Sequence, residues 1–173
     1  MFIYLSVKLK HQPYYIITGP PSSGKTTLIN ELLKANYHCY QEMARIVIQE
    51  NLKEGVDCFP WKNNVEFSHQ VFVKITDLLN SLNGDFCFFD RSIVDLIAYM
   101  DVSKSNRNKN YIDTIYKSPY NRNVFFLPFW DEIYTNDNER KESKEEAKLI
   151  EKSLRDVYAE FGFQIIDVPI SAI

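Results

Sequence analysis

Cysteine and histidine are scarce in this 173-residue chain, three of each, and neither is spaced to hold a metal. Cys39, Cys58 and Cys87 lie far apart with no C-x-x-C pairing, which argues against both a zinc site and a disulfide framework. His11, His38 and His69 likewise show no ligand spacing. Long apolar runs are missing too, and none approaches the roughly 20 residues that cross a bilayer. The segment Met1 to Leu9 is apolar but broken by Ser6 and Lys8, and it lacks a small-residue cleavage site, so a cytoplasmic protein is expected. There is no excess of positive charge: 20 Lys and Arg stand against 23 Asp and Glu, a net charge of −3. Nothing therefore draws the chain as a whole to nucleic acid or to an anionic membrane, and any anion it binds needs a local site.

No internal repeat or low-complexity linker divides the chain, and its length suits one well-buried domain, with residues 1–12 as an edge strand or a tail. Apolar residues at 45% and aromatics at 14% supply the core. The pattern alternates. Strand-like runs at Tyr14 to Thr18, His38 to Tyr40, Phe86 to Phe89, Val124 to Leu127 and Phe163 to Val168 are separated by segments of helical period. Pro60 and Trp61 open one such segment, whose face carries Val71, Ile75, Leu78, Leu79 and Leu82. Ser143-x-x-Glu146 reads as a capping box before a stripe of Ala147, Ile150, Leu154, Val157, Tyr158 and Phe161. This rhythm predicts an α/β fold with a parallel sheet of about five strands, whose ligand edge lies beyond the carboxyl ends of the strands.

At that edge Gly19-Pro20-Pro21-Ser22-Ser23-Gly24-Lys25-Thr26-Thr27 fits G-x-x-x-x-G-K-[ST], with a strand before it and a helix-forming run after it. Gly19 and Gly24 let the backbone wrap a polyphosphate, so that successive N–H groups, those of Ser22, Ser23 and Thr27 included, point at it. Lys25 is expected to reach the β- and γ-phosphates, and the Thr26 hydroxyl to ligate Mg²⁺. A plain Gly- and Ser-containing turn would not need all four fixed positions and both flanks.

Asp90 is the one acidic residue that follows an unbroken apolar strand, and it is expected to serve either Mg²⁺ or the acceptor's proton. Arg91 cannot act as a base, but its planar fork suits a phosphate or the substrate. The plainer reading of the pair is a helix cap followed by a surface arginine. A glutamate after the strand aspartate would orient water; arginine there disfavours water as the acceptor. A small GTPase is excluded, because no Gly is preceded by Asp three positions earlier and Asn108-Lys109-Asn110-Tyr111 ends in tyrosine. Glu42, with Arg45 one turn on, is placed either to take a hydroxyl proton or simply to face solvent at a helix start. Arg140, with Lys141 as second choice, is a candidate lid arginine in a charged segment over 136–148 that otherwise reads as solvated. Trp61, Phe67, Trp130 and Tyr134 are aromatic candidates for a pocket wall or for the core.

Taken with Glu42-Met43-Ala44-Arg45, Phe89-Asp90-Arg91-Ser92, Leu127-Pro128-Phe129-Trp130 and Asp137-Asn138-Glu139-Arg140, the loop motif makes the chain resemble a known family. It is similar, from about Tyr14 to Pro169, to the AAA-type P-loop domains related to the ribosylnicotinamide kinase domain of the NAD-biosynthesis regulator. The resemblance implies a P-loop NTPase sandwich of three layers with strand order 2-3-1-4-5, and an ATP- and Mg²⁺-dependent phosphotransferase acting on a nucleoside, nucleotide or related metabolite. It also implies a lid around Arg140 and a substrate pocket near Glu42, Arg45 and Arg91. GTP in place of ATP, and a nucleotide-binding switch acting on a protein partner, stay open at this point.

Overall fold

A computed structural model describes residues 13–134 and 143–170. Its centre is β1 (Tyr14–Thr18), flanked by β3 (Cys87–Asp90) and β4 (Tyr120–Phe126), with β2 (Cys39–Tyr40) and β5 (Gln164–Asp167) at the edges. All pairings are parallel and the order is 2-3-1-4-5. Between them run α1 (Lys25–Lys34), α2 (Met43–Glu54), α3 (Asn64–Ser81), α4 (Ile93–Val102), α5 (Lys109–Lys117) and α6 (Lys144–Glu160).

The strands are short and apolar because both faces are covered, unequally. Tyr14, Ile16, Cys87, Phe89, Val124 and Phe126 pack into one large core with α2 to α6. Ile17, Phe88 and Phe125 point the other way, where α1 supplies Leu28, Ile29 and Leu32. Burying the apolar stripe of α6, where Ala147, Ile150, Leu154, Val157 and Tyr158 are all buried, fixes that helix against the sheet. Toward the amino ends of the strands the α1 face carries a contiguous aromatic strip: Tyr37 and Phe86 are 47% and 45% exposed, beside Tyr15, Phe88 and Phe125.

Helix starts follow the expected chemistry with one shift. Ser143 caps α6 in a full capping box with Glu146. Pro60 and Trp61, however, lie in the turn before α3 rather than opening it; Asn63 is the cap, its side chain accepting from the Glu66 N–H. Proline and an aromatic fit a helix start by period alone, but Asn63 can satisfy an orphan N–H and they cannot. Residues 1–12, expected as an edge strand or a tail, lie outside the described residues.

Register aligns the carboxyl ends. Ile17 stands beside Asp90 and Thr18 beside Phe126. The next residue of each loop is then tied across: Arg91 N–H donates to Ile17 O (3.0 Å), Leu127 N–H to Thr18 O (2.8 Å), and Val168 N–H to Phe126 O (2.8 Å).

Candidate active site

The loop that leaves β1 is held open by its glycines. Gly19 has φ +151°, and a Cβ there would stand 2.1 Å from the Leu127 carbonyl oxygen, so no side chain fits. Gly24 (φ +81°) is the left-handed residue that turns the loop into α1. Ser22 and Ser23 are buried within the loop, and Thr26 and Thr27 are exposed in the first turn of the helix. Lys25 is buried. Its Nζ donates to Gly19 O (2.8 Å), Pro20 O (2.8 Å) and Ser23 Oγ (3.1 Å), so the ammonium fills the concavity that the loop encloses. Burial, and then the nearby Arg91, lower its pKa to about 7, against the pull of Asp90, Glu42 and Asp95.

Arg91 and Glu42 form a second group. Glu42 precedes α2, and its carboxylate faces inward rather than capping: Oε1 accepts from Arg91 Nε at 2.9 Å and Oε2 from the mostly exposed Arg45 at 3.4 Å. Burial alone would raise the Glu42 pKa, but Arg91, Lys25 and Arg45 more than reverse this and hold it ionised. Arg91 Nη1 also donates to Gly19 O (3.2 Å) and Asp95 Oδ1 (3.3 Å), and its plane lies 5.5 Å over the Tyr99 ring. Arg91 is thus no surface arginine. Burial opposes its charge, but Tyr99, Glu42, Asp95 and Asp90 keep it protonated.

Nor is Asp90 the helix cap. Ser92 takes that place, accepting from Val94 N–H and boxed by Asp95. Asp90 is left with Oδ1 buried and without a hydrogen-bond partner among the described residues. Burial, then Glu42, raise its pKa to about 6, although Arg91 and Lys25 oppose this. A buried, unsatisfied carboxylate oxygen is what a divalent cation or its water shell would satisfy. Among the described residues no three His, Cys, Asp or Glu converge as a self-sufficient metal cage.

Sequence reasoning missed Asp95 as a site residue. It accepts from Thr18 Oγ1 (2.5 Å), Tyr158 OH (2.6 Å) and Ser92 N–H (2.9 Å) besides Arg91, and so joins the root of the phosphate loop to α4 and α6. The Ser-x-x-Asp spacing of a cap was the only local signal. The long-range partners, Thr18 and Tyr158, follow from the sheet.

These groups share one cleft of about 1420 Å³, into which Lys25, Glu42, Arg45, Asp90, Arg91 and Asp95 all face. Of the aromatic candidates Trp61, Phe67 and Trp130 line it. Arg140 and Lys141 lie outside the described residues; of the expected lid, Lys144 to Lys148 are already the first turns of α6.

A profile of the AAA domain family matches residues 14–173. The chain belongs to the AAA domain family. No curated protein sequence matches it. Among solved structures, this AAA domain is similar to a deoxyadenosine kinase from M. mycoides with dCMP and dCDP bound, at 16% identity over 90% of this chain and 89% of that one, with a TM-score of 0.62. A thymidylate kinase from Ehrlichia chaffeensis is 17% identical over 93% and 91%, with a TM-score of 0.52. A shikimate kinase from Aquifex aeolicus is 19% identical over 90% and 85%, with a TM-score of 0.51. At such identities the likeness is one of fold.

Proposed function

We propose that this AAA domain is a P-loop kinase, which transfers the γ-phosphoryl of ATP, or of GTP, to a small-molecule acceptor. The observation that carries the reading is the joining of two sites in one cleft. The phosphate loop, the group of Glu42, Asp90 and Arg91, and apolar side chains of α2 and α3 all line one cleft of about 1420 Å³, above the roughly 300–1,000 Å³ usual for a single small-molecule pocket. The kinases that share the fold support it as analogy. A switch that only held a nucleotide would not need the second compartment.

Each residue then has a task. The N–H groups of the loop cradle the β-phosphate, and Lys25 exchanges the carbonyls of Gly19 and Pro20 for phosphate oxygens. The Thr26 hydroxyl and Asp90 would hold Mg²⁺, whose contribution is to offset phosphate charge. Glu42, kept ionised by its neighbours, accepts the proton of the acceptor hydroxyl. Arg91 fixes Glu42 in place and lends positive charge beside the loop. Arg140 keeps its proposed role as the lid arginine over the transferring group. None of the described helices is long and apolar enough to cross a membrane.

The test is ADP or GDP release with the Mg-nucleotide across a panel of nucleosides, nucleotides and related metabolites. An acceptor should raise release well above the basal rate, and Lys25→Ala should lower that stimulated rate at least ~10²-fold while circular dichroism stays unchanged. Nucleotide binding with no acceptor stimulating turnover would move the reading to a switch.

A further inference from the structure

The second compartment has a chemistry of its own. Between α2 and α3 its walls are Ile48, Leu52, Phe67, Val71 and Ile75, with Tyr99 of α4 closing it beside Arg91. The polar side chains of this lobe, among the described residues, are Gln49, Asn64 and Ser68, all uncharged, with half-exposed Trp61 at the rim. Such walls suit a flat, largely apolar ring whose edge carries a few hydrogen-bonding groups.

The charges stand only where this lobe meets the phosphate loop, and they are balanced. Among the described residues lining the cleft, Lys25, Arg45 and Arg91 face Glu42, Asp90 and Asp95. Arg91 spreads its donors over Glu42, Gly19 O and Asp95. Arg45 leans on Glu42. Lys25 is committed to the loop. An acceptor that already carried a phosphate would bring up to about two negative charges next to Glu42 and Asp90, where Arg91 and Lys25 are already shared and Arg45, held to Glu42 through Nε at 3.4 Å, is mostly exposed to water. A hydroxyl brings no such conflict and can donate to Glu42.

Resting on the kinase reading, we infer that the acceptor is an uncharged compound with a hydroxyl at one end and a flat ring at the other, and not a phosphorylated one. In the transfer, the acceptor oxygen forms a bond to the γ-phosphorus of ATP. The bond from that phosphorus to the β–γ bridging oxygen breaks and its electron pair leaves with ADP. The hydroxyl proton goes to the Glu42 carboxylate. Phe67 and Tyr99 flank the ring and set which rings fit.

The experiment compares nucleosides with their own 5′-monophosphates, using the full chain and Mg-ATP, with product identified by mass. The best nucleoside should exceed its monophosphate in kcat/KM by ~100-fold or more, since like charges brought together in a low-dielectric cleft are strongly disfavoured. Phe67→Ala should raise the nucleoside KM about tenfold with kcat within about twofold, the pattern of lost ring binding. Gln49→Arg, which adds an unshared cation to the lobe, should narrow the ratio. A monophosphate that is the better acceptor, with a mass gain of one phosphoryl, overturns this inference and leaves the kinase reading standing. Mg-ATP binding with no turnover of either kind overturns both.

Discussion

Arg91 has φ +71°, a left-handed backbone that costs an L-residue about 1–2 kcal/mol, and it sits between the end of β3 and the cap of α4. The turn points its guanidinium back over the loop instead of out to water. Asp90, beside it, carries a second cost. Its pKa is raised from 3.8 to about 6, so the folded protein binds that proton more tightly than the unfolded chain does. What it adds to stability is present below about pH 4 and lost as the pH rises through about 6; above that the ionised group is a burden. Asp90→Asn should therefore raise the melting temperature at pH 7.5, without nucleotide, by roughly 2–6 °C, while removing most Mg-dependent turnover. A variant that melts lower would show that the carboxylate is satisfied. Lys25 gives the opposite kind of linkage. Its pKa of about 7 must rise when a polyphosphate arrives, so binding takes up a proton above pH 7. Affinity for nucleotide without Mg²⁺ should weaken by up to about tenfold per pH unit above 7, and be flat below it, in calorimetric titrations.

At the level of the element, α6 matters beyond its apolar stripe. Tyr158 on its buried face donates to Asp95 (2.6 Å), which in turn holds Thr18 and Arg91, so the helix that follows residues 135–142 is joined to the phosphate loop by one hydroxyl. Tyr158→Phe should lower the melting temperature by roughly 3–10 °C, since a buried hydrogen bond to a carboxylate contributes about 1.5–3 kcal/mol. It should also lower kcat more than nucleotide affinity if Arg91 shifts; equal loss in neither would leave only a packing role. This contact marks the limit of what the sequence discloses. The stripe and the capping box of α6 are written in period and spacing, and so were the loop, Asp90 and the order of elements. That Arg91 folds inward and that Asp95 gathers three elements depend on strand register, which brings residues 49 to 77 positions apart into contact, whereas the Ser92 cap that displaces Asp90 is a local Ser-x-x-Asp box. Glu42 was legible as a carboxylate at a helix start, but the side it faces was set by Arg91, 49 positions away.

For the molecule as a whole, the joined cleft means that ligand and fold are linked by mass action. Mg-ATP at about one hundred times its dissociation constant should stabilise the protein by about 2.7 kcal/mol, read as a rise of roughly 5–10 °C in thermal unfolding. Absence of any rise would remove nucleotide binding from the account. The sheet's unequal cover has a different consequence. Among the described residues the α1 face leaves Tyr37 and Phe86 in water beside Tyr15, Phe88 and Phe125, while a net charge of −3 keeps molecules only weakly apart. Attraction between copies through such a strip grows on warming from the cold and fades with urea, because it is driven by released water. Colloidal behaviour that follows temperature more than salt is the signature this face gives to a solution of the protein.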